Sequence, residues 1–325
     1  MPTTTNREYV NSLPDDMRDQ LTWLSQHIDE TGASLGAIGK ALRYDAGTIS
    51  KVLAGVYTGS MHNVCKRIAV LRKVRDERAL SQGTTFVENS IAQKVELVLK
   101  YAHANNTITI IVGESRMGKT TAAKWYCYEK YVGTTVYVSL PPACTHRMLL
   151  QIIAGKLGLP TNGSTALLYE ILRDALTPDM LLVIDEAHFL LAATSRACPR
   201  SLEAVRHLHD TTGVGVALIA TERFYDSLAA SRYQYEQLLG RVAVPVQLKP
   251  KIKRSDILPI IKQYYDKPST EILDHALTIA NAPGRLGHLA LDLRVASRLA
   301  AKKARQLTET DFLTAMAIRD QNRKG

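Results

Sequence analysis

One stretch of this chain constrains its folding more than any other. Ile108-Thr109-Ile110-Ile111-Val112 runs straight into Gly113-Glu114-Ser115-Arg116-Met117-Gly118-Lys119-Thr120, and Thr121-Ala122-Ala123-Lys124-Trp125 follows. A short, continuous apolar run reads as a buried strand and the later residues as a helix start, with G-x-x-x-x-G-K-T between them. That order builds an anion trap, in which loop N–H groups and the positive end of the helix surround phosphate. Residues 113–121 are thus expected to bind ATP or GTP, Lys119 reaching the β- and γ-phosphates and the Thr120 hydroxyl ligating Mg²⁺. Arg116 stands where many such loops carry a further glycine, so the loop is expected to be strained there or to gain a phosphate contact.

A second acidic signal lies about 65 residues downstream of the loop. Leu181-Leu182-Val183-Ile184-Asp185-Glu186 is four apolar residues ending in two carboxylates. At a strand tip, Asp185 would hold the Mg²⁺ shell with Thr120, and Glu186 would orient and polarise the attacking water. Glu186 makes hydrolysis, and not binding alone, the expectation.

At 325 residues the chain is long enough for two or three domains. Residues 1–82 read as short helices between glycine and polar turns. From 86 to 250, apolar runs at 108–112, 135–138, 181–184 and 214–220 alternate with amphipathic helices, the pattern of a parallel sheet covered on both faces. Residues 251–325 read as all-helical, with helices expected at 255–265, 269–280, 284–302 and 308–320. Thr308 and Asp311 are placed to cap the last of these. The longest apolar run falls short of a membrane span, and Cys65, Cys127, Cys144 and Cys198 lack metal or redox spacing, so a soluble, reduced, cytoplasmic protein is expected.

The net charge of +10 falls largely in two blocks, Lys40 to Arg78 and Arg285 onward, which points to a polyanionic partner. Within the first block, Leu35, Ile38, Ala41 and Leu42 mark one helix face. Asp45 can cap a second helix, whose Ile49, Val52 and Leu53 face back onto the first. The short turn, with Gly39 expected at a close helix approach, reads as a helix-turn-helix. Its exposed Thr48, Ser50 and Lys51 would face bases or phosphates.

The parts together resemble the AAA+ ATPases. That resemblance implies sensor 1 at Thr221, an arginine finger at Arg241 (with Arg232 in reserve) in Gln237-Leu238-Leu239-Gly240-Arg241-Val242, and sensor 2 at Arg285. More narrowly, the chain resembles the transposition ATPases of the phage Mu protein B type, with the transposon ATPases TnsC, TniB and IstB. The likeness rests on Gly55-Val56-Tyr57-Thr58-Gly59, Thr85-Phe86-Val87-Glu88, the P-loop, and the segment ending His209-Asp210-Thr211-Thr212-Gly213-Val214. It implies an ATP-dependent helical filament or hexamer-like ring on double-stranded DNA, with little sequence preference. It also implies delivery of that DNA to a DDE transposase, with ATP hydrolysis driving disassembly. Core contacts to DNA would come from Arg147, Lys156, Arg196 and Arg200. Two rivals share these parts: a helicase loader or replication initiator, and a nucleotide-switched helix-turn-helix transcription regulator. Salt-dependent but sequence-indifferent binding separates the first reading from the regulator.

Overall fold

The computed structural model describes residues 6–79, 86–191, 200–230, 235–249 and 251–324. They divide into two compact units, one of residues 1–83 with 297–306 and one of 84–296 with 307–325.

In the first unit, α1 (Arg7–Ser12), α2 (Asp15–Thr31), α3 (Leu35–Leu42), α4 (Ala46–Ala54) and α5 (Met61–Ala79) enclose a core that includes Leu21, Leu24, Ile38, Leu42, Ile49, Leu53 and Ile68. The helices are not all short. α2 runs 17 residues and α5 runs 19, because no glycine or proline interrupts either. Between α3 and α4 the chain turns through Arg43, in the left-handed region at φ 58°, then Tyr44 and Asp45. Asp45 caps α4 by accepting from the Thr48 amide at 2.8 Å. Gly39 is required here by the backbone of the turn and not by a side chain of the second helix: a Cβ at Gly39 would stand 2.5 Å from the Tyr44 carbonyl oxygen.

The second unit is built on a parallel five-stranded sheet. In chain order its first elements are α6 (Ser90–Asn105), β1 (Ile108–Val112), α7 (Lys119–Trp125), β2 (Thr135–Ser139), α8 (His146–Lys156), α9 (Thr165–Ala175) and β3 (Leu181–Asp185). Then come α10 (Arg200–Thr212), β4 (Gly215–Ala220), α11 (Glu222–Ala230), α12 (Glu236–Leu239) and β5 (Val242–Gln247). Four helices close the chain: α13 (Arg254–Ile261), α14 (Thr270–Asn281), α15 (Arg285–Lys302) and α16 (Glu309–Lys324). The strand order is β2-β3-β4-β1-β5, every pairing parallel.

Alternate residues of each inner strand feed opposite cores. Val183 and Ile219 join the cluster under α6, α7 and α13–α16, whereas Leu182 and Leu218 join the cluster under α8–α12. β1, β3 and β4 are buried along their whole length, which is why they read as unbroken apolar runs. β5 was absent from the expected strands. It is an edge strand of alternating burial with Pro245 inside it, a composition that tells against a central strand. β1 is flanked by β4 and β5 while the chain leaves it for β2 at the far edge, so the P-loop opens at a topological switch point.

At the start of α16, Thr308 and Asp311 behave as the sequence implies. The Asp311 carboxylate accepts from the Thr308 amide at 3.0 Å and from its hydroxyl at 2.8 Å.

Candidate nucleotide site

Gly113 follows β1 where β5 closes in. A Cβ there would come 3.0 Å from Leu248 Cβ, and the Leu248 amide donates to the Val112 carbonyl at 2.8 Å. The loop then turns through Arg116 (φ 62°) and Gly118 (φ 97°), and α7 begins at Lys119. Glu186 (φ 58°) and Arg285 (φ 46°) are left-handed as well, so three of the seven described non-glycine residues with positive φ belong to expected site positions. Each costs on the order of 1 kcal/mol or more, and such strain gathers where function over-determines the backbone.

The buried Lys119 ammonium donates to the carbonyls of Gly113 and Glu114, at 2.7 Å each. Burial holds its pKa below the ordinary lysine value, partly offset by Asp185, Glu186, Glu222 and Glu114. A cation penalised by burial inside a loop of N–H groups gains most from a polyphosphate. The Thr120 hydroxyl donates to Asp185 Oδ2 at 2.7 Å, which joins the end of β3 to the start of α7. Asp185 is 3% exposed and its Oδ1 accepts from the Glu186 amide at 2.9 Å. Beside it, the Glu186 carboxylate is half exposed and 3.4 Å from His188 Nδ1.

The register of β4 against β1 pairs Ala220 with Val112, so Thr221 comes level with the start of the P-loop. Ser115 to Thr121, Asp185, Glu186 and Thr221 all line one cleft of about 750 Å³, a volume suited to a nucleotide. Its far wall is largely apolar. Phe86 stacks on Trp125 with centroids 4.4 Å apart, and Leu286, Ala290 and Arg294 line the cleft at four-residue spacing along α15. Arg285 at the head of that helix pairs with Glu114 of the P-loop, its Nε donating to Oε2 at 2.7 Å. Arg116 packs so closely on α15 that a Cβ at Gly287 would lie 3.0 Å from its Cδ.

Other expected residues lie elsewhere. Arg241 precedes β5, whose Val242 pairs with Ile108 at the start of β1, so it sits at the strand ends opposite the P-loop. Its Nε donates to Asp210 Oδ1 and its Nη1 to the Gln237 carbonyl at 2.7 Å. Asp210 also accepts from Arg206 at 2.8 Å; burial alone would raise its pKa, but the guanidinium of Arg241, then that of Arg206, holds it below the usual carboxylate range. This gives the His-Asp-x-x-Gly segment a geometry, with His209 Nδ1 2.8 Å from the Val214 carbonyl and Gly213 left-handed at φ 70°. Arg147 and Lys156 are exposed at the two ends of α8, Arg147 donating to the Gly163 carbonyl at 2.6 Å, and Arg200 is exposed at the head of α10. In the first unit, the Thr48 hydroxyl donates to Asp45 at 2.6 Å, Ser50 is half-buried and Lys51 exposed. Arg196 and Arg232 lie outside the described residues.

Sequence spacing carried no signal for Trp125, Ile260, Gln263 or Arg294 as cleft residues, nor for Tyr137, whose hydroxyl donates to Asp185 Oδ2 at 2.7 Å. Trp125 ends the helix that follows the P-loop, whereas the others reach the site only through packing between distant segments.

Sheet order, P-loop and acidic strand tip are those of the AAA+ ATPase fold, and the model of the AAA domain family matches residues 102–228. More particularly, the chain is similar to the transposition proteins of the Mu B type. It is 26% identical over 274 residues to the ATP-dependent target DNA activator B of Escherichia phage Mu, covering 82% of this chain and 84% of that protein. To the Mu-like prophage FluMu DNA transposition protein B of Haemophilus influenzae it is 22% identical over 271 residues, covering 81% and 91%. Among solved structures, the Aeropyrum pernix ORC2 protein shares the fold at a TM-score of 0.54 and 18% identity, over 74% of this chain and 71% of that one. Cdc6p of Pyrobaculum aerophilum does so at 0.51 and 18%, over 72% and 68%.

Proposed function

We propose that this chain is a target-DNA ATPase of transposition, which assembles on duplex DNA when ATP is bound and presents that DNA to a transposase of the DDE type. The observation that carries the assembly is the position of Arg241. β1 spans five residues at roughly 3.3 Å each, so about 15 Å of sheet separates Arg241 from its own P-loop. A guanidinium there serves the phosphates of a neighbouring subunit, and hydrolysis then needs the oligomer.

Within each site, the N–H groups of residues 115–120 and the Lys119 ammonium hold the phosphates. Thr120 Oγ1 and Asp185 Oδ2, hard oxygens 2.7 Å apart at the mouth of the loop, fit Mg²⁺. Mg²⁺ held there by Thr120 and Asp185 would supply neutralisation of phosphate charge. Glu186 polarises the attacking water, Thr221 orients toward the γ-phosphate, and Arg285 exchanges Glu114 for phosphate. Loss of the γ-phosphate removes the group that Arg241 of one subunit and Arg285 of the other share, so turnover loosens the assembly.

DNA contact draws on the exposed basic side chains of both units, Lys51 in the first and Arg147, Lys156 and Arg200 in the second, through phosphates more than bases. The relatives named target DNA activator and DNA transposition protein support this choice over a helicase loader or an operator-bound regulator. Electron microscopy of the protein with duplex DNA tests it. Filaments or rings with ATP, and dispersed particles without it, are expected on unrelated sequences alike. Particles that stay single on DNA at every nucleotide condition refute it.

A further inference from the structure

Tyr137 lies outside the P-loop and the acidic strand tip, yet its side chain ends on the carboxylate between them. β2 runs beside β3 with Tyr137 paired to Val183 and Ser139 to Asp185. Period-two alternation puts Tyr137, Val183 and Asp185 on one face of the sheet, with Tyr137 two residues short of the acid. A phenol spans that diagonal. The Tyr137 hydroxyl donates to Asp185 Oδ2 at 2.7 Å, the same oxygen that accepts from Thr120 at 2.7 Å, while Oδ1 accepts from the Glu186 amide at 2.9 Å.

The ring is 5% exposed, and Tyr128 meets it edge-on at 5.8 Å with Lys124 over its face at 5.6 Å. Tyr128 and Lys124 both line the nucleotide cleft. A phenylalanine would fill this space equally well, so packing gives no reason for the oxygen. The hydroxyl donates to Asp185, and the Ser139 side chain is a second hydrogen-bonding neighbour on the same strand. Of the donors on Oδ2, the Thr120 hydroxyl is the one a metal would recruit; Tyr137, anchored in an edge strand, keeps its place.

We infer that Tyr137 is a positioning residue for the metal side of the nucleotide site: its hydroxyl fixes the rotamer of Asp185 and satisfies one lone pair, leaving the other aimed at Mg²⁺ and its waters. Hydrogen-bond partners behind a metal's ligands are worth about 10- to 100-fold in metal affinity. This inference rests on the proposed role of Asp185 beside Mg²⁺.

The test measures binding, not turnover. A fluorescent ATP analogue is titrated into the full chain at fixed Mg²⁺, and Mg²⁺ into the analogue complex, for the wild type, Tyr137→Phe, Asp185→Asn and the double variant. Tyr137→Phe is expected to need on the order of tenfold more Mg²⁺ while binding the analogue without Mg²⁺ as the wild type does. In the Asp185→Asn background the same change is expected to add little, the mark of coupled groups. A Mg²⁺ demand unaltered by Tyr137→Phe overturns the inference. So do losses that simply add in the double variant, or a lost Mg²⁺ response that follows a fallen unfolding midpoint. Asp185→Asn with wild-type Mg²⁺ dependence instead refutes the reading of Asp185, independently of Tyr137.

Discussion

At the residue scale, the site combines strained backbone with charges that gain little until phosphate arrives. Lys119 is buried against two carbonyls, with its pKa held down by that burial. Lys119→Ala is therefore expected to abolish ATP binding in calorimetry and leave the nucleotide-free unfolding midpoint unchanged or higher, since the folded state disfavours the charge. A midpoint lowered by several degrees would mean the lysine stabilises the empty loop. Glu186 is the complementary case. It is half exposed, and its carboxylate lies 3.4 Å from His188 and away from the Asp185–Thr120 bond. Glu186→Gln keeps the shape and removes the charge proposed to polarise water. Turnover should drop on the order of 10²- to 10⁴-fold with ATP affinity retained, and assemblies on DNA should persist after ATP is added. Wild-type phosphate release in that variant would take Glu186 out of its role.

At the scale of elements, two glycines of one helix make opposite predictions. Gly39 faces the turn, where a Cβ would be 2.5 Å from the Tyr44 carbonyl, whereas a Cβ at Gly36 meets only Ser34 Oγ at 3.9 Å. Gly39→Ala should destabilise by about 1–3 kcal/mol through overpacking. Gly36→Ala should stabilise by roughly 0.5–1 kcal/mol through reduced chain entropy. Urea unfolding of the full chain reads both, and equal effects would contradict the turn geometry. The closing helices carry a titration of their own. Asp292 of α15 is 1% exposed and paired with Arg319 of α16, yet burial outweighs the guanidinium and raises its pKa to about 6. The folded state therefore binds a proton that the unfolded chain, with an ordinary aspartate value of 3.8, has already released. The stability this contributes is complete below pH 4 and lost as pH rises through 6, by roughly 3 kcal/mol at most. Asp292→Asn should flatten that dependence between pH 4 and 7, measured by thermal unfolding; a slope as steep as the wild type's would refute the assignment.

These elements were unevenly legible. β1, β3 and β4 are sandwiched between helices, so their apolar runs announce them. β5 did not, because an edge strand tolerates Pro245 and only half-buries alternate residues. The caps at Asp45 and Thr308 were legible because a cap is a local bond across three residues.

At the scale of the whole molecule, the prediction concerns two subunits at once. Arg241→Ala keeps a complete nucleotide site but lacks the guanidinium; Lys119→Ala lacks the site but keeps the guanidinium. Each alone should be inactive, the first by on the order of 10³-fold or more, and mixing them with DNA should restore measurable hydrolysis. A mixture as inactive as its parts would remove Arg241 from the neighbouring site. The Asp210 contact belongs to the same scale, since it holds Arg241 in the single subunit at the end of the sheet remote from the P-loop.

By itself the sequence determined what is contiguous: the loop at 113–120, the acidic pair at 185–186, the alternation of strand and helix, and the capped turn before α4. Each of these is a local pattern in which neighbours along the chain make the bonds. Tertiary structure alone decided strand order, and with it which end of the sheet Arg241 occupies, that Arg285 meets Glu114, and that the Tyr137 hydroxyl lands on Asp185. Those contacts join residues 48 to 171 positions apart, and no local propensity encodes them. They exist because burying both faces of one twisted sheet brings distant segments to the same carboxylates.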